Sequence, residues 1–398
     1  MMRDVAALAA MDGRQAGTQA EERAKEYVRT QLHGMGYVPE DTAGNVWTLL
    51  RGKSDDVIVV GAHLDHLGPG YPGADDNASG VAVVLAIARE LRREPLERSI
   101  LFVFFTAEEE GLRGSAAFVA DPPVPIARMK AMVNLDMVGR PLLDQFAFRA
   151  PMFLVGIDRD RSLGLVGARR YGALRALVDR AFRGDRVVAA EDLPATIGRE
   201  IERQSEGRSD SASFEAVGIP SLFFGDGESS DYHSPRDVVS KVQGRLLERR
   251  REAISRTVRA LSRAPAETFA RGGETHVRFP RSGVYVSAGI QGGVSFGVGG
   301  AYGAEASLVY FRPFWFAGVS ADVLRVGGKE RYAIGPELGV GPVGVELDTM
   351  FTAESRGVAV RPFVTIGLLA MGVRVGAIEG EGWFGELTFS LKYPLFLH

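Results

Sequence analysis

The ionisable residues able to do chemistry fall in five short stretches: His63-Leu64-Asp65, Asp75-Asp76, Glu108-Glu109-Glu110, Asp136 and Asp231-Tyr232-His233. Cysteine is absent, which excludes disulfides, iron–sulfur clusters, thiolate zinc sites and cysteine nucleophiles. A metal would have to be held by His, Asp and Glu. Zinc accepts imidazole nitrogen and carboxylate oxygen, and catalytic sites keep one position open for water. Two zincs roughly 3.5–4 Å apart need a bridging carboxylate and about two terminal ligands each. One further carboxylate, unligated, must take the proton from the attacking water. Two histidines and four acids from these stretches meet that requirement. Each group also has an ordinary explanation: a structural histidine, a helix N-terminal acid pair at Asp75-Asp76, a solvated acidic turn at Glu108 to Glu110, or a packing tyrosine at Tyr232. None of these explains why all of them gather at one edge of a sheet.

That edge follows from the elements around them. Val57 to Ala62 (VIVVGA), Ser99 to Thr106 (SILFVFFT) and Lys130 to Leu135 (KAMVNL) are short, nearly all-apolar runs, as strands buried on both faces should be. Met152 to Ile157 and Pro220 to Phe224 read as further strands, and Glu21 to His33, Ala78 to Leu91 and about Lys241 to Arg263 as helices. Strand–helix alternation predicts an α/β domain over residues 1–265, a mostly parallel sheet covered by helices on both faces. Ligands of open α/β sheets bind past the carboxyl ends of strands, where four of the five stretches lie; Asp75-Asp76 opens the helix at Ala78. The net charge of −3 argues against a nucleic-acid partner. The run Arg249 to Arg251 reads as a solvated helix face.

The blocks AHLDH (Ala62 to His66), GADDNASG (Gly73 to Gly80), TAEEEGLRGS (Thr106 to Ser115), NLDMVGR (Asn134 to Arg140) and DYHSPRD (Asp231 to Asp237) resemble, in order, the signature blocks of the di-zinc exopeptidases. This is metallopeptidase family twenty-eight, which includes bacterial leucyl aminopeptidases and glutamate carboxypeptidases. The resemblance covers about residues 12–262. It implies two zinc ions, with Asp76 bridging them, His63 and Asp136 completing one, and Glu109 and His233 the other. Asp76 is ranked over Asp75 by its distance to Ser79-Gly80. The resemblance further implies Glu108 as general base, Asp65 orienting His63 through its second ring nitrogen, and Tyr232 donating to the tetrahedral oxyanion. Asp75 and Glu110 receive no metal. Ser211 stands where the family commonly has His, which bears on substrate contacts rather than on the metals. The implied activity is hydrolysis of a terminal peptide bond by water activated by Glu108, with an aminopeptidase favoured over a carboxypeptidase by the short loops. Cyclisation of N-terminal glutamine would reuse the fold with one zinc. Cobalt or manganese also suits such oxygen- and nitrogen-rich sites.

After Pro265 the pattern changes to period two. Leu387, Phe389, Leu391, Tyr393 and Leu395 alternate with Glu386, Thr388, Ser390 and Lys392, and similar alternation recurs in about eight segments separated by glycine-rich turns. The expectation is an all-β domain over residues 266–398, an eight-stranded antiparallel barrel of outer-membrane type, with a soluble sandwich as the alternative. Eight strands return both ends to one side, leaving the peptidase at the periplasmic face of the outer membrane. A lumen of that size is filled by side chains, so the barrel should anchor rather than transport. Met1 to Arg14 lacks the apolar core of a signal peptide, in conflict with the export a barrel requires. Either the true start lies upstream or the domain is soluble. A protein of another class, a membrane-associated binding or structural protein with an inactive peptidase domain, is disfavoured by the complete ligand and base set.

Overall fold

The computed structural model describes residues 1–11, 13–145, 152, 157–192, 205, 207–273, 283–312, 315–366 and 368–397. The chain divides into two compact units, one comprising Met1–Phe153 and Ile157–Val277, the other holding Arg278–His398.

The first unit is built on an eight-stranded sheet. Its strands are β1 (Glu40–Thr42), β2 (Asn45–Leu50), β3 (Ser54–His63), β4 (Arg98–Phe105), β5 (Met129–Leu135), β6 (Ser162–Val166), β7 (Arg186–Val188) and β8 (Ser221–Gly225), in the order β1-β2-β4-β3-β5-β8-β6-β7. The four central strands β4, β3, β5 and β8 are parallel. β2 and β6 flank them antiparallel. The helices are α1 (Met2–Ala9), α2 (Gln19–Gly34), α3 (Ala78–Leu91), α4 (Arg113–Ala120), α5 (Gly172–Ala181), α6 (Ser211–Ala216) and α7 (Gly244–Arg263).

The all-apolar strands serve two cores at once. Ile58, Val60, Phe102, Phe104, Ala131 and Val133 pack into one core with α1, α2, α3, α5 and α7. Their neighbours Val57, Val59, Leu101, Val103, Phe105 and Met132 pack into the other, against Phe118 of α4 and Phe214 of α6. Successive side chains on a strand point to opposite faces, so a strand with helices on both sides must be apolar throughout. The helix expected from Lys241 begins at Gly244, after a 3-10 turn at Val239–Lys241. Of the strand expected over Met152 to Ile157, residues 153–156 lie outside the described residues, and Met152 is helical. Ser162–Val166 takes the antiparallel place beside β8.

The second unit is a closed barrel of eight antiparallel strands: β9 (Gly283–Ser295), β10 (Gly299–Arg312), β11 (Trp315–Val326), β12 (Lys329–Val340), β13 (Val343–Phe351), β14 (Arg356–Ile366), β15 (Leu369–Ile378) and β16 (Gly382–Leu397). β16 pairs back onto β9, with Leu387 opposite Val294 and Leu391 opposite Ile290, so no edge strand is left. The sandwich alternative is thereby excluded. The alternation resolves inside out: Ile290, Leu308, Val319, Ile334, Leu338, Leu347, Val358, Met371 and Phe389 are exposed, while Glu305, Asp322, Glu346, Asp348, Arg361, Arg374 and Glu386 are buried. The lumen is an ionic core. Arg374 donates from Nε to Asp348 Oδ2 at 2.9 Å and from Nη1 to Asp322 Oδ1 at 3.1 Å. Arg361 donates to Glu346 Oε2 at 3.0 Å, and Arg331 to Glu386 Oε1 at 2.8 Å. Among the described residues no helix is long and apolar enough to cross a membrane.

Candidate metal centre

The predicted residues converge at the carboxyl ends of the central strands. His63 is the last residue of β3; Glu108 and Glu109 follow β4, Asp136 follows β5, and Tyr232 and His233 lie in the loop after β8. Asp76 lies just before α3, whose N-terminus Asn77 caps by accepting from Gly80 N at 3.0 Å. Asp76 sits between two groups of donors. Its Oδ1 is 3.3 Å from His63 Nε2, which is also 3.2 Å from Asp136 Oδ1. Its Oδ2 is 3.3 Å from His233 Nε2, which is also 3.0 Å from Glu109 Oε2. Asp76 Oδ2 and His233 Nε2 are both buried without a hydrogen-bond partner, although they approach so closely. Two such atoms held 3.3 Å apart with no hydrogen bond to satisfy them suit a shared cation. Donor types, number and convergence fit two zinc ions.

The loops around this point are tightly held. Ala107, Met137 and His233 have positive φ (50°, 54° and 48°), a strained region for residues with a Cβ that tends to cluster at functional sites. Asp237 accepts from the backbone N–H of Asp75 (3.0 Å) and Asp76 (3.0 Å), fixing the loop that presents the Asp76 carboxylate. Asp75 turns away and accepts from Gly139 N at 2.8 Å, and Glu110 pairs with exposed Arg113. Ser209 Oγ donates to Asp136 Oδ2 at 2.8 Å. Buried Arg14 donates to the carbonyls of Leu64 (2.9 Å), Pro72 (2.8 Å) and Gly73 (2.9 Å), tying the two ligand loops together. Asp65 differs from expectation. Its carboxylate accepts from the backbone N–H of Glu108 (3.1 Å) and Glu109 (3.2 Å), and it is the Asp65 carbonyl oxygen, at 3.1 Å, that lies nearest His63 Nδ1. The carboxylate itself is 3.7 Å from that nitrogen.

Sequence reasoning assigned no role to Arg14, His66, Ser209 or Asp237. His66 and Asp237 lie inside the quoted blocks, and Ser209 stands two residues before Ser211, so nearness to a matched position was the available signal; Arg14 had none. Ser211, standing where His is common, is buried at the start of α6 and does not line the cavity, whereas nearby Gly207 and Arg208 do.

Charge is concentrated here. Burial works against protonation of His63, but Asp136 and Glu108 outweigh it and hold its pKa well above the ordinary imidazole range. His233 is likewise pushed up to about 10, its burial overcome by the adjacent carboxylates of Asp76 and Glu109. Burial, reinforced by Asp136 and Asp210, pushes Glu108 up to about 10. Such a surplus of carboxylate is what a divalent cation neutralises. Tyr232 stacks on His233 with ring centroids 3.8 Å apart. Burial and the neighbouring Asp76 and Asp136 raise its pKa, so it stays a hydroxyl donor. The site opens into a cavity of about 580 Å³ lined by His63, Glu108, Asp136, Tyr232 and His233 on one side and by Leu142, Leu165, Val188 and Phe223 among its apolar residues.

Comparison with known proteins places this geometry in a family. The model of peptidase family M28 matches residues 45–258, and the chain belongs to that family. It is similar to aminopeptidase YwaD of Bacillus subtilis, 29% identical over 213 residues, 52% of this chain and 41% of the relative. An aminopeptidase of Pseudomonas aeruginosa is 36% identical over 135 residues, 33% of this chain and 23% of the relative. The chain thus spans less than half the length of these relatives. Among solved structures, the LapA aminopeptidase of Legionella pneumophila superposes with a TM-score of 0.54 at 19% identity, covering 66% of this chain and 71% of that one. This is a likeness of fold.

Proposed function

We propose that the protein is a zinc-dependent aminopeptidase anchored in the outer membrane by its barrel. The observation that carries the catalytic reading is the Asp76 carboxylate set between the His63–Asp136 and His233–Glu109 pairs, with Glu108 lining the same cavity. In this reading His63, Asp76, Asp136, Glu109 and His233 would hold two zinc ions, with Asp76 serving both donor pairs. The ions would supply Lewis acidity toward water and the scissile carbonyl. Glu108 takes the proton from the attacking water and delivers it to the leaving amine. The Tyr232 hydroxyl donates to the oxyanion, and Asp65 fixes the Glu108–Glu109 backbone.

Charge in the cavity favours the amino terminus. Arg208 is the one Arg or Lys among its described lining residues, and it is already paired with Glu228 at 3.0 Å. A free α-ammonium meets complementary charge there, whereas a terminal carboxylate finds no unpaired Arg or Lys among the described lining residues. The apolar wall suits an apolar terminal side chain. The barrel's apolar exterior and charged interior, the reverse of a water-soluble protein, support bilayer insertion. Both barrel termini lie on one side, where the connections at 313–314, 341–342 and 367–368 are two residues each, against two to four residues on the other side. Short turns mark the periplasmic side of such barrels, so the catalytic domain belongs to the periplasmic face.

The test is hydrolysis of aminoacyl-anilides and N-blocked dipeptides by the full chain in detergent, with zinc measured on the same sample. Chelator-sensitive cleavage of free-amine substrates alone, with two zincs bound, is expected. Cleavage of only the blocked dipeptides would make it a carboxypeptidase, and two zincs without turnover would refute the enzyme reading. Flotation with vesicles after refolding tests the anchor; a full chain that stays in the aqueous phase without detergent would overturn it.

A further inference from the structure

His66 is a buried histidine beside the ligand cluster that the proposed mechanism does not use. Its ring is fully enclosed. Nδ1 lies 3.0 Å from Glu109 Oε1, on the opposite oxygen from the one that faces His233 Nε2. The nearest oxygen of Asp76 is 3.9 Å away. Nε2 is buried without a hydrogen-bond partner, so the single polar contact of the ring is the one to Glu109. The ring is also clamped in place. Gly73, at φ +53°, lies so close that a Cβ there would sit 2.5 Å from His66 Cδ2. Arg14 holds that glycine's carbonyl at 2.9 Å, and the backbone N–H of His66 donates to Arg14 O at 3.2 Å.

We propose that His66 is a positioning residue: it donates from Nδ1 to Glu109 Oε1 and so commits Glu109 to the second metal through Oε2 alone. A carboxylate with both oxygens free can rotate or chelate; one with an oxygen tied to an immobile donor presents the other at a fixed place. Outer-shell donors of this kind typically change metal affinity by about 10–100-fold. The sequence feature is the last residue of the AHLDH block. The proposal rests on the two-zinc reading of the site and names which of the two ions depends on His66.

The experiment is a stepwise zinc titration of the full chain in detergent against a chromophoric chelator, with thermal unfolding of each protein beforehand. Three variants separate donor from packing. His66→Asn places an amide N–H near the position of Nδ1, His66→Gln places one near Nε2, and His66→Phe keeps the ring's bulk with no donor. His66→Phe and His66→Gln should weaken the second zinc about 10–100-fold while the first stays within threefold, and His66→Asn should restore the second to within about threefold. Unchanged second-zinc affinity in His66→Phe would overturn the proposal, as would equal losses in all three variants, which would make the ring a packing element. If His66→Phe does not fold, the contrast between Asn and Gln decides. Failure of the unsubstituted chain to bind two zincs would instead refute the site reading on which the proposal stands.

Discussion

Replacing Glu108 by glutamine separates general-base chemistry from everything else the site does. The substitution keeps shape and removes the proton acceptor. The loop should not move, because it is held by backbone groups: the N–H groups of Glu108 and Glu109 donate to Asp65, and Gly111 N and Leu112 N donate to the Glu108 carbonyl at 3.0 and 2.9 Å. A positioned general base is worth about 10²–10⁴ in rate, or about 2.7–5.4 kcal/mol at 1.36 kcal/mol per factor of ten. The upper half of that range is expected here. The nearest acids outside the proposed ligand set are unsuited to substitute: Asp65 is engaged by two N–H groups, and Asp210 is fully buried and does not line the cavity. The assay is kcat and KM on leucine p-nitroanilide with zinc content measured on the same preparation. Expected are a kcat lower by about 10³–10⁴, KM within a few-fold, and two zincs retained. A loss below tenfold with zinc in place would refute Glu108 as the base. Loss of zinc would refute it differently: Glu108 can be grouped with His63 and Asp136 as a donor triad, so it would then be a ligand and the base would lie elsewhere.

Asp76→Asn should reduce zinc from two ions to one or fewer and abolish turnover, since an amide offers one ligating oxygen in place of two; two tightly bound zincs, by elemental analysis, would show that it does not bridge. In the barrel, Arg374→Ala leaves Asp322 and Asp348 buried without their cation. Breaking such a pair costs about 3–5 kcal/mol, read as a lower urea midpoint for the vesicle-inserted barrel. The triple change Arg374→Met, Asp322→Asn, Asp348→Asn should recover most of it, and an unaltered midpoint in Arg374→Ala would show that the lumen tolerates free charge. A chain ending at residue 273 should remain in solution without detergent and keep full activity. The cut lies beyond Phe269, which packs under Arg98 with 5.1 Å from guanidinium to ring centre, and beyond Gly272, which bridges to Tyr171. An insoluble or inactive product would show that the first unit depends on the barrel.

What was legible in the sequence follows the range of the interactions involved. Strands β3, β4 and β5 stood out because burial on both faces leaves VIVVGA, and SILFVFFT between its terminal Ser99 and Thr106, without a polar residue. α3 was equally clear, its bounds matching Ala78–Leu91, because a long apolar run follows the capping residue Asn77. β2 was not seen: NVWTLL mixes polar and apolar residues, and its strand character comes from pairing with β4. The ligand cluster was visible because each member sits at a strand end or helix start. The groups that hold those members were not. Three of Arg14's bonds go to carbonyls 50 or more residues away, and nothing local marks it; Asp65 stood out beside His63, but its bonds to the Glu108–Glu109 backbone, 43 and 44 residues on, did not. Period two gave the barrel strands and which face is apolar. It did not give the lumen pairing, because Arg374 meets Asp322 across 52 residues of sequence.

The two units apply one burial rule to opposite solvents. In the first unit apolar side chains are removed from water and the charged groups collect at one sheet edge, where negative charge crowds around two imidazoles. In the second the charged residues are the core and the apolar ones face outward. Arginine and carboxylate can be buried there because each finds a partner across the lumen, with Arg374 and Arg361 each bonded to two or more groups. An isolated charge in that position would be prohibitive. Such a barrel gains nothing from water on its outside, where Leu338, Leu347 and Ile366 are all more than half exposed. Its stability in isolation would require an apolar solvent, and the proposed membrane anchor rests on that requirement rather than on any single residue. The same ionic core fills the lumen that a pore would need open, so a barrel built this way suits an anchor rather than a channel.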